Sequence, residues 1–139
     1  MDDTIQSNES LCQVKKIDLD CFEFSDYWLL LSIGFSKKGS SLKEILLSGD
    51  SYNHAMFSMD ELNYGMSKLI QNGYIIKRGK RFIVTKKARD FYDSHIIKNE
   101  GQIATLFRMA PFFQEEKAKA GCELIVYFEE DSKGKFRAL

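Results

Sequence analysis

No run of about eighteen apolar residues occurs in this 139-residue sequence, so no segment is long enough to cross a bilayer as a helix. The first ten residues are acidic and polar and lack the basic start and apolar stretch of a secretory signal, so a cytoplasmic protein is expected, without a membrane partner. Cysteine is scarce. Cys12, Cys21 and Cys122 are odd in number and widely spaced, and without a CxxC or a Cys/His cluster they suggest neither a disulfide framework nor a zinc site. They read as reduced thiols. Net charge is also missing: 20 basic and 20 acidic residues cancel, which argues against an indiscriminate nucleic-acid binder. Nor is there a nucleophile and base at useful spacing, a glycine-rich phosphate loop or a defined carboxylate pair, so neither an enzyme nor a cofactor is expected.

What is present is an ordinary globular composition of single-domain length with a lopsided charge distribution. From Leu62 to Arg89 there is no acidic residue, while Lys68, Lys77, Arg78, Lys80, Arg81, Lys86, Lys87 and Arg89 are all basic. The compensating carboxylates lie mainly towards the ends, at Asp2, Asp3, Glu9, Asp18, Asp20, Glu23 and Asp26, and at Glu115, Glu116, Glu123, Glu129, Glu130 and Asp131. One stretch of a neutral chain is therefore electropositive.

Along the chain, Ser25 or Asp26 is the expected cap of a first helix whose body, residues 27–33, is apolar nearly all round and so belongs in the interior. Gly34 and the Lys37-Lys38-Gly39 stretch end it. Ser41 and Glu44 form a capping-box pattern that opens a second helix, weakened midway by Gly49-Asp50-Ser51. Ser58 and Glu61 form another, opening a third helix that runs to Gln71 and stops at Asn72-Gly73. Met59, Leu62, Met66, Leu69 and Ile70 fall on one side of this helix; Asp60, Tyr64, Ser67, Lys68 and Gln71 fall on the other. Two β-prone runs around Arg78-Gly79 predict a hairpin, with Lys77 facing Lys80 and Ile75 facing Phe82 if Arg78-Gly79 is the loop. Its tip gathers four cations that repel one another unless an anion approaches. Thr85 is the expected cap of a helix carrying Ala88, Phe91, Tyr92 and His95. Residues 102–119 read as two short helices or one bent at Pro111, with Ile103, Leu106, Phe107, Ala110 and Phe113 on one face. Residues 123–128 read as a strand, and 131–134 as a turn to a short partner strand.

The order helix, capped helix, capped helix ending in Asn-Gly, basic hairpin, then Thr and a helix resembles winged helix-turn-helix proteins, most closely the small bacterial and archaeal regulators. The segments that carry the resemblance are Leu69-Ile70-Gln71-Asn72-Gly73-Tyr74-Ile75 and Phe82-Ile83-Val84-Thr85-Lys86-Lys87, and it covers about half the chain. It departs from the family pattern at Ala88, where a glycine is usual, and at Asp60 and Glu61, which face phosphates unfavourably if they enter a groove. The resemblance implies a mainly α fold with small β: a three-helix core plus a β-hairpin wing over residues 22–98. An N-terminal tail (1–21), partly disordered, would precede it, and a C-terminal helical and short-strand extension (99–139) would follow. It implies a DNA-binding transcriptional regulator on double-stranded DNA. The third helix would sit in the major groove, with Tyr64, Ser67, Lys68 and Gln71 as its contact residues, and the wing residues Lys77, Arg78, Lys80 and Arg81 on the phosphate backbone.

Each feature also has a plainer reading. The helix face with Tyr64 and Gln71 can be a solvated surface, and the cationic tip a charge-protected edge. Asp50, Asn53 and His54 lack a third ligand and read as structural hydrogen bonding, and His95 has no companion. The 103–113 stripe either packs back on the domain or meets the same helix of a second copy, forming a homodimer. A protein-protein interaction module is the alternative function, favoured by the neutral charge and the acidic start of the third helix. A small-molecule effector is left unidentified by the residues.

Overall fold

The computed structural model describes residues 17–139; most of the expected N-terminal tail, with Cys12, lies outside them. The chain is mainly helical with small antiparallel hairpins. Helix α1 (Phe24–Ile33) is buried from Asp26 to Ile33, as a helix apolar on every side requires. Its cap is Glu23 rather than the expected Ser25 or Asp26. Asp26 instead occupies the third helical position and accepts the Glu23 N–H at 2.7 Å. Helix α2 (Leu42–Asn53) and helix α3 (Met59–Gln71) begin at the two predicted capping boxes, with Ser41 and Ser58 each accepting the N–H of the glutamate three residues on. Helix α3 stops at Asn72 and a Gly73 with φ of 83°, where the Tyr74 N–H reaches back to the Leu69 carbonyl.

Strands β1 (Ile75–Arg78) and β2 (Arg81–Val84) form the predicted hairpin, but its loop lies one residue later than expected and the strand pairing is displaced by two residues. The loop is Gly79-Lys80, so Arg78 pairs with Arg81 and Ile75 with Val84. Only Gly79 has positive φ, at 62°, and a two-residue loop with glycine first is the type II′ pattern. Ser40 adds a single bridge on the far side of β2, exchanging both backbone hydrogen bonds with Phe82 at 2.9 Å. The loop before α2 is thereby tied to the hairpin. Thr85 occupies the predicted N-cap position of α4 (Lys86–His95), but its hydroxyl donates to the Gly73 carbonyl at 2.6 Å and so joins this helix to the end of α3.

Helix α5 (Gln102–Gln114) is one helix with Pro111 in its last turn, shorter than the predicted 102–119. Leu106, Met109, Ala110 and Phe113 are fully buried, whereas Ile103 and Phe107 of the expected stripe stay exposed. The stripe thus packs back on the other helices, rotated by part of a turn. Phe113 explains why. Its ring lies between Phe22, Tyr27, Tyr74 and Phe91 with centroids 4.6 to 5.3 Å away, joining α1, α4 and the hairpin's start to α5 in one buried cluster. Strands β3 (Phe128–Glu130) and β4 (Phe136–Ala138) close the chain as a second small hairpin. The predicted strand at 123–128 joins a ladder only at Phe128.

Gly49 does not break α2, because its missing side chain is what the packing needs. A Cβ there would lie 2.5 Å from the Phe57 ring, which stacks on Trp28 at 3.7 Å, and the Trp28 Nε1 donates to the Gly49 carbonyl at 2.9 Å. Gly49→Ala is therefore expected to destabilise the fold, because overpacking costs about 1–3 kcal/mol against a helix-propensity gain of about 1 kcal/mol. Urea denaturation checks this; a variant more stable than the parent would show that the Phe57 ring yields freely.

Candidate nucleic-acid interface

In the β1–β2 hairpin, β2 alternates between half-buried and buried residues, while β1 is exposed from Ile76 onward. Ile75, Phe82 and Val84 point into the core, and Lys77, Arg78, Gly79 and Lys80 are exposed. Lys77 donates to the Gly79 carbonyl at 2.6 Å, which tightens the tip. Arg78 and Lys80 make no side-chain hydrogen bond or ion pair among the described residues. Arg81 is different: its guanidinium bonds the Gly39 carbonyl at 2.9 Å and the Glu44 carboxylate at 3.1 Å, so it ties the hairpin to α2. The Glu44 carboxyl is held below its ordinary range, first by the Ser41 backbone N–H, with the Ser41 side chain and the Arg81 guanidinium adding smaller contributions. The Ser40 bridge brings the exposed Lys37 and Lys38 beside β2, two cations that sequence reasoning used only to end a helix.

The other predicted surface, the outer face of α3, is covered. Residues 123–128 lie extended along it, antiparallel to the helix, and are held by side chains four residues apart. Gln71 accepts the Glu123 N–H at 2.9 Å and donates to the Glu123 carbonyl at 2.7 Å. The Ser67 hydroxyl does the same for Ile125 at 2.8 and 2.9 Å. Asn63 accepts from Tyr127 and Phe128 and donates to the Phe128 carbonyl at 3.1 Å. Two strand residues advance about 6.6 Å and four helix residues about 6 Å, so a helix presenting polar side chains at i, i+4 and i+8 can match every second residue of an extended segment. That spacing is visible in Asn63, Ser67 and Gln71 and is the signal that could have revealed the docking. Among α3 residues only Asp60 remains fully exposed.

Lys68 lies still deeper. It is 0% exposed, its ammonium 2.7 Å from the Asp26 carboxylate and donating to the Asp18 and Cys21 carbonyls at 2.7 and 3.1 Å. Part of the segment expected to be a tail is thus fastened to α3. The second Asp26 oxygen has no hydrogen-bond partner and faces Gly65, where a Cβ would come within 3.1 Å of it. Burial pushes the Asp26 carboxyl up, with the ammonium of Lys68 opposing it. Of the predicted helix contacts, then, Ser67 and Lys68 are buried in the fold's own bonds, Gln71 is half-buried and bonded, and Tyr64 is half-exposed. Of the predicted wing contacts, Lys77, Arg78 and Lys80 stand open and Arg81 is engaged.

His54 and His95 are both accounted for by backbone structure. His54 is the left-handed C-cap of α2, and the His95 ring stacks on Phe91 with Nδ1 2.9 Å from the Phe91 carbonyl. The chain matches no protein-family model, no curated protein and no solved structure.

Two outcomes are expected of the α3 surface. Asn63→Ala should destabilise more than Ser67→Ala, and Ser67→Ala more than Gln71→Ala, because the freed backbone groups run from buried Phe128 to exposed Glu123; each fully buried group left unpaired costs about 1–3 kcal/mol. Equal effects in urea melts would contradict this order. Lys68→Met should cost about 3–5 kcal/mol near neutrality by stranding a buried carboxylate. With the ammonium gone, the folded-state pKa of Asp26 rises further above its unfolded value of about 3.9. The stability that follows from the raised value is present below the unfolded pKa and lost as pH rises, so the penalty should shrink as pH falls towards about 4, and adding Asp26→Asn should recover part of it. A penalty independent of pH would contradict the assignment.

Proposed function

We propose that this chain is a winged helix-turn-helix DNA-binding protein of the regulator type that holds double-stranded DNA chiefly by phosphate contacts from its first hairpin. The reading rests on one observation: Arg78 and Lys80 stand exposed and unpaired at a projecting tip, beside Lys77 and next to the loop with Lys37 and Lys38. Such cations displace condensed counterions when they meet phosphates, and the release supplies affinity without sequence information. The element order also supports it. Helix, two capped helices, a basic hairpin and a helix preceded by Thr85 follow one another in the order on which the resemblance rests. In the arrangement described, Ser67 and Gln71 hold residues 123–128 and Lys68 is buried against Asp26. Base reading by Ser67 and Gln71 therefore requires that segment to leave, and base reading by Lys68 requires its ion pair to open, which leaves Tyr64 as the half-exposed member of the set.

The protein-protein module is the second reading, and the covered α3 is the observation that favours it. A helix whose exposed remainder is Asp60, with Glu61 and Tyr64 half-exposed, repels phosphate and suits a basic or neutral partner surface. Pairing with a second copy would use the exposed Ile103 and Phe107 of α5, which the core leaves free.

Duplex binding measured at several salt concentrations separates the readings. Affinity should fall steeply with salt, and Arg78→Ala and Lys80→Ala should each lower the slope of log affinity against log salt by about 1. Arg81→Ala should act mainly on stability, through its bonds to Gly39 and Glu44. No duplex affinity at low salt, or affinity indifferent to Arg78 and Lys80, would reject DNA binding through this tip.

A further inference from the structure

A groove of about 920 Å³ runs between α2 and the β3–β4 hairpin, away from the α3 surface. Its floor is apolar: Leu42, Leu46 and Leu47 of α2, Met56 just beyond that helix, and Phe136 and Ala138 of β4. Leu47 is 64% and Met56 69% exposed, large values for side chains that gain by burial. The charged residues around it are Lys43, Lys80, Lys135 and Arg137, against a single acid, Asp50. Arg137 is paired with Glu129, and Lys135 lies in the field of Asp131. Lys43 and Lys80 make no side-chain hydrogen bond or ion pair among the described residues. The nearby acid of the first helical turn, Glu44, is turned to Ser41 and Arg81.

We infer that this groove is a binding site for a single-chain anionic amphiphile, its acidic head between Lys43 and Lys80 and its apolar chain along Leu46, Leu47 and Met56. Three observations select that class. The volume falls within the roughly 300–1,000 Å³ of small-molecule sites. The charge is graded along α2, with a free cation in its first turn at Lys43, where the helix dipole also favours an anion, and a carboxylate two turns on at Asp50. Between them lies an apolar wall about 10 Å long at 1.5 Å per residue. A neutral hydrocarbon leaves the two cations unanswered, and a cationic amphiphile meets them unfavourably. Because Lys80 also belongs to the hairpin tip, an occupied groove neutralises one of the charges offered to phosphate; this consequence rests on the DNA-binding reading, whereas the site itself does not.

The test titrates the full chain with decanoate, decanol and decyltrimethylammonium, each below its micelle threshold, following the Met56 methyl signal and the heat of binding. Decanoate should saturate with one site per chain. The double variant Lys43→Ala, Lys80→Ala should weaken decanoate about tenfold or more while leaving decanol unchanged. Leu47→Glu, at a position exposed enough to spare the fold, should abolish decanoate binding, with an unchanged thermal transition as the control. Three probes binding alike, uptake without saturation, or a Leu47→Glu chain that still binds would overturn the site. Decanoate should also weaken duplex binding by the parent chain. If decanoate binds as described and duplex affinity does not move, the coupling is rejected and the site stands; if the chain has no duplex affinity at all, the DNA-binding reading fails separately.

Discussion

The constraint on which the rest of the molecule depends is that α1 has no side fit for water. Tyr27, Trp28, Leu29, Leu30, Leu31 and Ile33 point in every direction around the helix, and all are buried, so neighbours must enclose it. Helices α2 and α3 cannot do so alone. Helix α5 completes the enclosure, with Met109 accepting a weak bond from the Tyr27 hydroxyl at 3.8 Å and Phe113 5.0 Å from the Tyr27 ring. Burying a side chain of this size is worth about 1.5–3 kcal/mol, so the aromatic contacts of α5 carry a substantial part of the folding energy. A C-terminal element that reads as peripheral in the sequence is consequently part of the core.

Helix α3 is held from both sides. Leu62, Met66 and Leu69 fill the core on one, and Asn63, Ser67 and Gln71 bind the extended 123–128 segment on the other. Lys68 lies between these surfaces and reaches the base of α1 through Asp26. A buried ion pair of this kind adds little net stability compared with a well-packed apolar pair, but it penalises any arrangement that separates its partners. It therefore fixes how α3 sits on α1, and Asn63, Ser67 and Gln71 fix which backbone lies across α3.

The local signals were legible in the sequence because they are local in physics. Both capping boxes, the Asn72-Gly73 stop and the hairpin follow from bonds among residues a few positions apart, which any reader of the sequence can draw. Thr85, by contrast, lies at its expected position but donates its hydroxyl to Gly73, twelve residues away. The hairpin loop falls one residue later than expected, and the pairing two residues out, because glycine position in the loop, rather than the centre of the basic run, decides the turn type. The covered face of α3 was illegible for a different reason. Ser67 and Gln71 look the same whether they await water, a base edge or a backbone 52 to 58 residues away, and only the fold decides. Lys68 misleads in the same way, since its partner, Asp26, is a residue that propensity assigns to capping.

The cations show what the formal charge conceals. Lys68, Arg81, Lys86, Arg108 and Arg137 each pair with a carboxylate, and Lys87 caps the end of α3 while lying over the Tyr74 ring. These serve the fold. Among the described residues Lys37, Lys38, Arg78 and Lys80 have no bonded side-chain partner and share the hairpin tip or the loop that Ser40 ties to it, whereas other unbonded lysines, such as Lys43, Lys98 and Lys117, lie elsewhere in the fold. Charges further apart than a screening length of about 8 Å at physiological salt scarcely feel one another. Carboxylates elsewhere on the molecule therefore do little to offset this surface, and a chain whose charges sum to zero can still present a positive surface wherever its structure leaves cations unmatched.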